Sequence, residues 1–258
     1  MTMYVITHKS FLYSTPKEYK ILLVGANKNK GESFYLKDNK GENISSLNSK
    51  YCELTGMYWI WKNTSDKYVG LSHYRRYFSK MFWIKNKFVR NLQTIVYPKS
   101  IHPISESDLN DILKKYDWVV PVKENLSNMT VYEQYNHFHN IEDLNRVKKI
   151  IAKRCPKYLN AFNEVMSWKK ISPYNMFYTT KFNFEKYCEW LFPILEEVNK
   201  EIDYSMYDEY QTRVIGFLAE RLFNVYLQKN NFKIKYLNVY NSDITSRSYI
   251  FKKLRGKK

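Results

Sequence analysis

Short runs of apolar and β-branched residues alternate along the chain with longer stretches in which apolar residues recur every three or four positions. The short runs predict strands, and the longer stretches predict helices that bury one face. The predicted strands are Met3 to Thr7, Ile21 to Ala26, Tyr68 to Leu71, Trp118 to Val122 and Asn175 to Thr180. The predicted helices are Leu47 to Trp61, Ser107 to Lys115, Asn140 to Lys153, Tyr158 to Met166, Phe184 to Asn199 and Tyr207 to Gln228.

The alternation of strands with helices indicates the α/β class. It predicts a mostly parallel sheet flanked by helices on both faces. Asn140 is placed to cap the helix that follows it, and Pro193 to kink the helix that contains it. No repeat or linker interrupts the pattern, so we expect one domain over residues 1–240 and a basic tail over residues 241–258.

The composition favours a folded protein that is not exported. With 258 residues and 44% hydrophobic side chains, the chain can bury a sizeable core, which argues against disorder of the whole chain. No apolar run reaches the roughly 18 residues that indicate a membrane-spanning helix. The first residues lack a charged and then apolar leader, so we expect the protein to stay in the cytoplasm. The three cysteines lie far apart, which predicts free thiols rather than disulfides.

The charge balance is strongly basic. The chain carries 42 Lys and Arg residues against 25 Asp and Glu residues, a formal net charge of +17. Its surface therefore attracts anions, whether nucleic acid, acidic lipid or phosphorylated small molecules. Most lysines are scattered, but in the tail five basic residues from Lys252 to Lys258 follow Tyr249, Ile250 and Phe251. Contact with an anionic membrane surface and a disordered, solubilising end are both open interpretations of this tail.

Polar and charged side chains follow two of the predicted strands. Thr7, His8 and Lys9 close the first strand, and Ser72 to Arg76 follow the third. Ligands of open α/β sheets bind beyond the carboxyl ends of the strands. Adjacent arginines carry planar, permanently charged forks that suit a diphosphate, and a neighbouring imidazole or phenol can donate to the same oxygens. Structural ion pairs are the alternative explanation of the arginine pair.

Several nucleotide and metal motifs are missing from the sequence. It contains no P-loop, no G-x-G-x-x-G dinucleotide motif and no G-x-S-x-G elbow. His137 and His139 lie two residues apart without a second group of candidate ligands beside them, and the strand ends carry no D-x-D pair. Chance spacing explains the two histidines better than a metal site. We therefore expect no divalent metal.

Two longer blocks of the sequence are more specific. One runs from Asn43 to Asn63 and contains E-L-T-G and W-K-N; the other runs from Tyr68 to Phe78 and contains H-Y-R-R-Y-F. They resemble a bacterial family of capsular, exopolysaccharide and O-antigen biosynthesis proteins. That family, long described as a domain of unknown function, is linked to glycosyltransferases, some of which use UDP-galactofuranose. Shorter matches are Val5 to Lys9, Val24 to Ala26, Tyr174 to Phe177 and Arg213 to Leu222.

The resemblance implies a fold similar to the GT-A type and transfer of a sugar from a UDP-sugar to a lipid-linked glycan acceptor. Many such enzymes hold a metal ion on the donor diphosphate through a D-x-D motif. In this chain the comparable strand ends in His73, Tyr74, Arg75 and Arg76. We expect these groups to replace the metal and to stabilise the leaving UDP, and Thr7, His8 and Lys9 to contribute to nucleotide-sugar binding. On this hypothesis the enzyme needs no cofactor, and UDP-sugar is its substrate.

An inverting transfer also needs a base that removes the proton of the acceptor hydroxyl. Asp208 and Glu209 lie at the N-terminal end of the last predicted helix, where the helix dipole favours a carboxylate. Glu220, in the family-like run G-F-L-A-E-R-L, is a third candidate. Helix-start electrostatics explain Asp208 and Glu209 as well, and an ion pair with Arg221 explains Glu220, so the choice stays open.

Polar side chains elsewhere are candidates for contacts to hydroxyl groups of the substrates. Solvated turns and helix capping explain the same residues without a ligand. The candidates are Asp38, Asn39 and Asn43 for the ribose or sugar, and His139, Asp143 and Asn175 for the acceptor or sugar.

Two other classes of function compete with the enzyme. A nucleic-acid-binding module would use basic charge interleaved with tyrosines, but no RNP, KH or helix-turn-helix pattern is present, so we expect no nucleic-acid partner. A non-catalytic scaffold of a polysaccharide assembly complex would bind membranes through the tail and would lack affinity for nucleotides. Titration with UDP and with DNA separates the three functions.

Overall fold

Ten strands and the helices packed on them are seen in a computed structural model, which describes residues 2–12, 15–79 and 102–242. The strands are β1 (Thr2–Thr7), β2 (Lys20–Leu23), β3 (Leu36–Lys37), β4 (Tyr68–His73), β5 (Arg76–Ser79), β6 (Trp118–Pro121), β7 (Glu124–Asn125), β8 (Lys170–Ile171), β9 (Phe177–Thr180) and β10 (Ile234–Asn241). The described helices are α1 (Asn48–Tyr51), α2 (Leu54–Asn63), α3 (Glu106–Leu113), α4 (Val131–Phe138), α5 (Ile141–Arg154), α6 (Leu159–Ser167), α7 (Lys181–Glu201) and α8 (Val214–Asn230).

Eight of the described strands form one mixed sheet in the order β3, β2, β1, β4, β5, β10, β6, β9. Pairing is parallel from β1 to β2 and β4, from β2 to β3, and from β6 to β10. It is antiparallel from β5 to β4 and β10, and from β9 to β4 and β6. The α/β class is confirmed, but the prediction of a mostly parallel sheet is wrong. One reason is that a tight turn aligns His73 with Arg76, which makes β4 and β5 a hairpin and hence antiparallel.

The helix predicted from Leu47 to Trp61 is interrupted in its middle. The helix α1 ends at Tyr51, Cys52 takes a φ of 51°, and α2 begins at Leu54. A φ in the left-handed range cannot continue a right-handed helix. The sequence E-L-T-G therefore opens a second helix instead of continuing the first.

The last predicted helix begins later than expected. A turn of 3₁₀ helix covers Gln211–Arg213, and α8 begins only at Val214. Asp208 and Glu209 thus lie before the helix and not in its first turn, which corrects the prediction. The other helix predictions hold better: α5 is capped by Asn140, whose side chain accepts from the Glu142 amide at 3.1 Å, and α7 continues on both sides of Pro193.

Two apolar clusters cover the two faces of the large sheet. Tyr4 and Ile6 of β1 belong to the larger cluster and Met3 and Val5 to the smaller one, because successive side chains of a strand point to opposite faces. The larger cluster includes buried residues of α2 and of α4 to α8, whereas the smaller one includes Leu109 of α3. Coverage of both faces was predicted and is confirmed.

Strand β10 was not predicted, because lysine and asparagine interrupt its apolar pattern. Only Leu237 and Tyr240 of this strand are buried. The strand lies between β5 and β6 and pairs with both, so main-chain hydrogen bonds to two neighbours outweigh its weak pattern. The tail beyond residue 242 lies outside the described residues. No helix in the described ranges is both long and apolar enough to cross a membrane.

Candidate active site

The carboxyl ends of β1 and β4 lie side by side. The two strands pair in parallel with Ile6 opposite His73, and the Tyr74 amide donates to the Ile6 carbonyl at 3.0 Å. The segment after β1 therefore meets the segment after β4. The structure thus brings together the two groups of residues that the sequence proposed as one site.

Cationic groups surround the ring of Tyr74. The Lys9 ammonium lies 5.6 Å from the ring centroid and the Arg75 guanidinium 5.4 Å, and the His8 ring meets the Tyr74 ring edge-on at 5.4 Å. Partial burial and the positive charges of Lys9, Arg75 and Arg213 lower the pKa of His8. The Thr7 hydroxyl is buried and donates to the Lys9 carbonyl, so it closes the turn instead of facing solvent. The result is a concentrated positive potential at the strand ends.

Arg76 lies on the other side of the β4–β5 turn. Its guanidinium stacks 4.3 Å from the centroid of the Tyr174 ring. Within the described residues, no acidic side chain forms an ion pair with Arg76. The alternative explanation from sequence, a structural ion pair, therefore finds no support at this arginine.

Strained backbone surrounds the same place. Tyr174 and Asn175 have φ values of 79° and 51°, and Cys52 has 51°. Non-glycine residues held in such conformations cost on the order of 1–3 kcal/mol each and tend to cluster at functional sites. The two strained turns are joined, because the side-chain NH₂ group of Asn175 donates to Glu53 Oε1 at 2.7 Å.

Glu53, which the sequence did not single out as a site residue, is close enough to Arg76 and Arg213 for both charges to act on its carboxyl group. Burial raises the pKa of its carboxyl group, while the Asn175 hydrogen bond and the positive charges of Arg213 and Arg76 oppose that shift. The Arg213 Nε atom donates to the neighbouring Cys52 Sγ at 3.3 Å. The site therefore contains a partly buried carboxylate with a pKa above the usual range of glutamate, beside fixed cations.

The Glu220 carboxylate binds the backbone of the turn at Tyr174. Its Oε1 accepts from the Tyr174 amide at 2.6 Å and its Oε2 from Arg221 at 2.9 Å. Both carboxylate oxygens are engaged, and the ion pair with Arg221 that the sequence suggested is present. Among the three predicted bases, Asp208 and Glu209 are exposed, and Asp208 accepts from the Gln211 amide at 2.6 Å.

The His73 imidazole links β4 to the Tyr174 turn. Its Nε2 lies 2.7 Å from the Tyr174 carbonyl oxygen, which can only accept, so Nε2 carries a hydrogen. Burial, helped by the positive charge of Arg76, lowers the pKa of His73 to about 4. The ring is therefore neutral at pH 7 and positions Tyr174 as a hydrogen-bond donor.

This low pKa predicts an acid-sensitive fold. A histidine whose folded pKa is about 4 stabilises the protein fully above pH 6.5 and loses that contribution as the pH falls towards 4. Urea unfolding at pH 7 and at pH 4 gives the free energy of unfolding that each protein loses on acidification. This loss should be about 2–3 kcal/mol smaller in His73→Gln than in the wild type. The glutamine amide still donates to Tyr174. Equal losses in the two proteins would contradict the assignment of a neutral, buried His73.

Comparisons with known proteins identify the family of this chain and a similar solved structure. A family model described as a domain of unknown function, DUF4422, matches residues 2–231. The chain belongs to this family. It is also similar to the apo structure of the bifunctional glycosyltransferase WbbM, with 29% sequence identity and a TM-score of 0.81. A search of curated proteins found no match.

The similarity to WbbM covers 92% of this chain and 44% of the WbbM chain, so this chain spans less than half of the WbbM length. The similarity shows that the α/β fold of this chain is like that of a glycosyltransferase structure. The match to the family includes Glu53, the arginines Arg75, Arg76 and Arg213, and the strained turns at Cys52 and at Tyr174 and Asn175.

In this member of the family, Asp38 is part of the framework. It is fully buried, and its two oxygens accept from the amides of Gly25 and Ala26 and from the hydroxyls of Ser45 and Thr55. With four donors already satisfied, the carboxylate fixes the loop after β2 and is not directed at a ligand. In the same loop, Asn39 donates to Asn27, and the exposed Asn43 donates to the Gly41 carbonyl.

Removal of one donor from Asp38 should affect stability and not binding. Thr55→Val deletes the 2.7 Å bond to a buried carboxylate, so the free energy of unfolding should fall by about 1–3 kcal/mol. Thr64→Val is the matched control, because the Thr64 hydroxyl donates to the Ile60 carbonyl at a helix end and is not among the four donors to Asp38. Urea unfolding measures both variants. If folded Thr55→Val lost affinity for UDP at unchanged stability, Asp38 would be part of the binding site.

The predicted contacts to the acceptor or sugar lie in two different settings. Asp143 is buried and accepts from Arg146 at 2.7 Å and from the Tyr207 hydroxyl at 2.5 Å, so it holds α5 to the segment before α8. His139 ends α4 and stacks on Phe217. Asn175 joins the strained turn to Glu53, as described above. Within residues 2–12, 15–79 and 102–242, no three His, Cys, Asp or Glu side chains are grouped to hold a metal ion.

Proposed function

We propose that this protein transfers a sugar from a UDP-sugar to a growing surface-polysaccharide acceptor, with inversion and without a divalent metal. The observation that supports the proposal is the group formed by Arg75, Arg76, His8 and Glu53 at the strand ends of a glycosyltransferase-like fold. The two guanidinium groups and the His8 imidazole bind the donor phosphates, and the Glu53 carboxylate acts on the acceptor.

The cationic side chains stabilise the leaving group. As the bond between the sugar anomeric carbon and the phosphate oxygen breaks, negative charge develops on the diphosphate. Fixed guanidinium groups of Arg75 and Arg76, with the Tyr74 hydroxyl and His8 beside them, interact more strongly with that charge than with the intact donor. They supply the stabilisation that a metal ion supplies elsewhere.

Glu53 is the base in this mechanism. Its carboxylate takes the proton of the acceptor hydroxyl while the acceptor oxygen attacks the anomeric carbon from the face opposite UDP. A raised pKa suits this role, because it increases the basicity of the carboxylate. Asp208, Glu209 and Glu220 are the alternative bases, but two of them are exposed and the third already accepts two bonds.

The acceptor in this proposal is a lipid-linked glycan of a capsule, exopolysaccharide or O-antigen, and galactofuranose is one candidate donor sugar. The protein works in the cytoplasm, on the inner face of the membrane. The basic tail, residues 241–258, contacts the anionic lipid surface, at roughly 1 kcal/mol for each Lys or Arg near it.

Calorimetric titration tests the proposal directly. UDP is expected to bind more tightly than UMP, because the second phosphate reaches the arginines, and EDTA is expected to leave the affinity unchanged. A thermal-shift screen of UDP-sugars then selects the donor. Tight, salt-dependent binding of a short DNA strand without affinity for UDP would favour a nucleic-acid-binding protein, and binding of neither ligand would favour a scaffold.

A further inference from the structure

An ordered group of aromatic rings lies beside the site and has no part in the transfer chemistry described so far. The Tyr210 ring is 5.1 Å from Phe217 and 6.1 Å from His139, and His139 stacks on Phe217 at 4.3 Å. The planes of Tyr210 and His139 differ by only 19°. We call these three rings the aromatic shelf. Tyr210 is 52% exposed, so the shelf is partly open to solvent at this residue.

Gln211 fixes the orientation of the shelf. Its side-chain NH₂ donates to the Phe138 carbonyl at 2.8 Å, and its side-chain oxygen accepts from His139 Nδ1 at 3.1 Å. Since the hydrogen of His139 is on Nδ1, Nε2 keeps a free lone pair. Burial, which outweighs this hydrogen bond, lowers the pKa of His139 to about 4, so the ring is neutral at pH 7. The shelf therefore offers an apolar face together with an acceptor for one hydroxyl.

Arg213 connects the shelf to the active site. Its guanidinium lies 5.5 Å from the Phe217 ring and 5.8 Å from the Tyr210 ring. The same side chain donates to Cys52, the residue before Glu53, and its charge acts on Glu53. A ligand on the shelf would therefore lie beside the proposed base.

From this arrangement we propose that the aromatic shelf binds the terminal pyranose of the acceptor glycan. The weakly positive C–H groups on one face of a pyranose ring pack on the negative face of Tyr210, while hydroxyl groups contact Arg213 and His139 Nε2. The sugar hydroxyl at the far edge of the shelf then faces Glu53. This inference rests on the proposed function and adds to it the acceptor subsite.

The test uses methyl glycosides of galactose, glucose and N-acetylglucosamine as probes on protein saturated with UDP, with binding measured by saturation-transfer NMR. Tyr210→Ala should weaken binding of the preferred glycoside roughly tenfold, whereas Tyr210→Phe keeps the ring and should keep the affinity. Phe182→Ala is the matched control, because Phe182 is 67% exposed on α7 and belongs to no described ring pair. Calorimetry should give the same affinity for UDP in all four proteins.

Three outcomes would overturn the aromatic shelf as acceptor site. In the first, Tyr210→Ala binds the glycoside as tightly as the wild type does. In the second, the wild type binds UDP but no glycoside. In the third, Tyr210→Ala selectively loses affinity for UDP. The last result would place the nucleoside on the shelf. Conversely, glycoside binding that depends on Tyr210 in a protein without affinity for UDP would support the shelf and refute the proposed transferase.

Discussion

Glu53→Gln is expected to lower turnover of the selected UDP-sugar donor by about 10²- to 10⁴-fold, the range of a general base. The glutamine oxygen can still accept from Asn175, so the strained turns stay joined and the fold is retained. The side chain loses its negative charge and its ability to take up a proton. UDP affinity, measured by calorimetry, should therefore not fall, while turnover, measured as UDP release in the presence of acceptor, falls.

The pH profile adds a readout that a structural role would not produce. Because burial raises the pKa of Glu53, wild-type turnover should fall on the acid side at a higher pH than for an ordinary glutamate. Glu53→Gln should lose this acid limb. Asp208→Asn and Glu209→Gln are the matched controls. If either control, rather than Glu53→Gln, abolished turnover, the base would lie in the exposed turn before α8.

Arg76→Gln is expected to reduce turnover by about 100- to 1,000-fold, because it removes a fixed charge aimed at the leaving diphosphate. The described partner of the Arg76 guanidinium is the Tyr174 ring, and its charge also opposes the rise in the pKa of Glu53, so the replacement removes one of the two positive charges that act on that carboxyl group. Affinity for UDP should fall as well. Arg154→Gln is the control, since Arg154 pairs with Glu197 on the surface at 2.7 Å, and it should leave both quantities unchanged.

The same experiment tests the proposed absence of a metal. Wild-type turnover should survive EDTA, and added manganese should not restore the activity of Arg76→Gln. Loss of activity in EDTA with recovery in manganese would show that a metal, and not the arginine, neutralises the diphosphate.

The sequence predicted the part of the site that depends on local pattern. The strands β1 and β4 could be recognised as apolar runs, because polar residues follow them directly: His8 and Lys9 after β1, and Tyr74 and Arg75 after β4. It did not predict the direction of the strand pairs. Whether β9 runs parallel or antiparallel to β4 depends on partners more than 100 residues away, which a local pattern does not contain.

Glu53 and the shelf residues Tyr210 and Phe217 were missed for different reasons, whereas His139 was among the predicted contacts to the acceptor or sugar. Glu53 lies one residue after Cys52, whose left-handed backbone breaks the helix, and no glycine marks the break. In the sequence, Glu53 therefore looks like a solvated residue on a continuous helix. Tyr210 and Phe217 look like members of one helix stripe, while the structure places a 3₁₀ turn between them and brings His139 from α4 to pack on both. The family-like blocks of the sequence contain Glu53 and Phe217 but neither Tyr210 nor His139.

A crystal structure with bound UDP tests the central claim most directly, because it shows where the diphosphate lies. We expect both phosphates within hydrogen-bond distance of the side chains of Arg75, Arg76 and His8, with Glu53 facing the empty sugar position. UDP bound away from the ends of β1 and β4, or phosphates held by groups other than these three side chains, would contradict the proposed function.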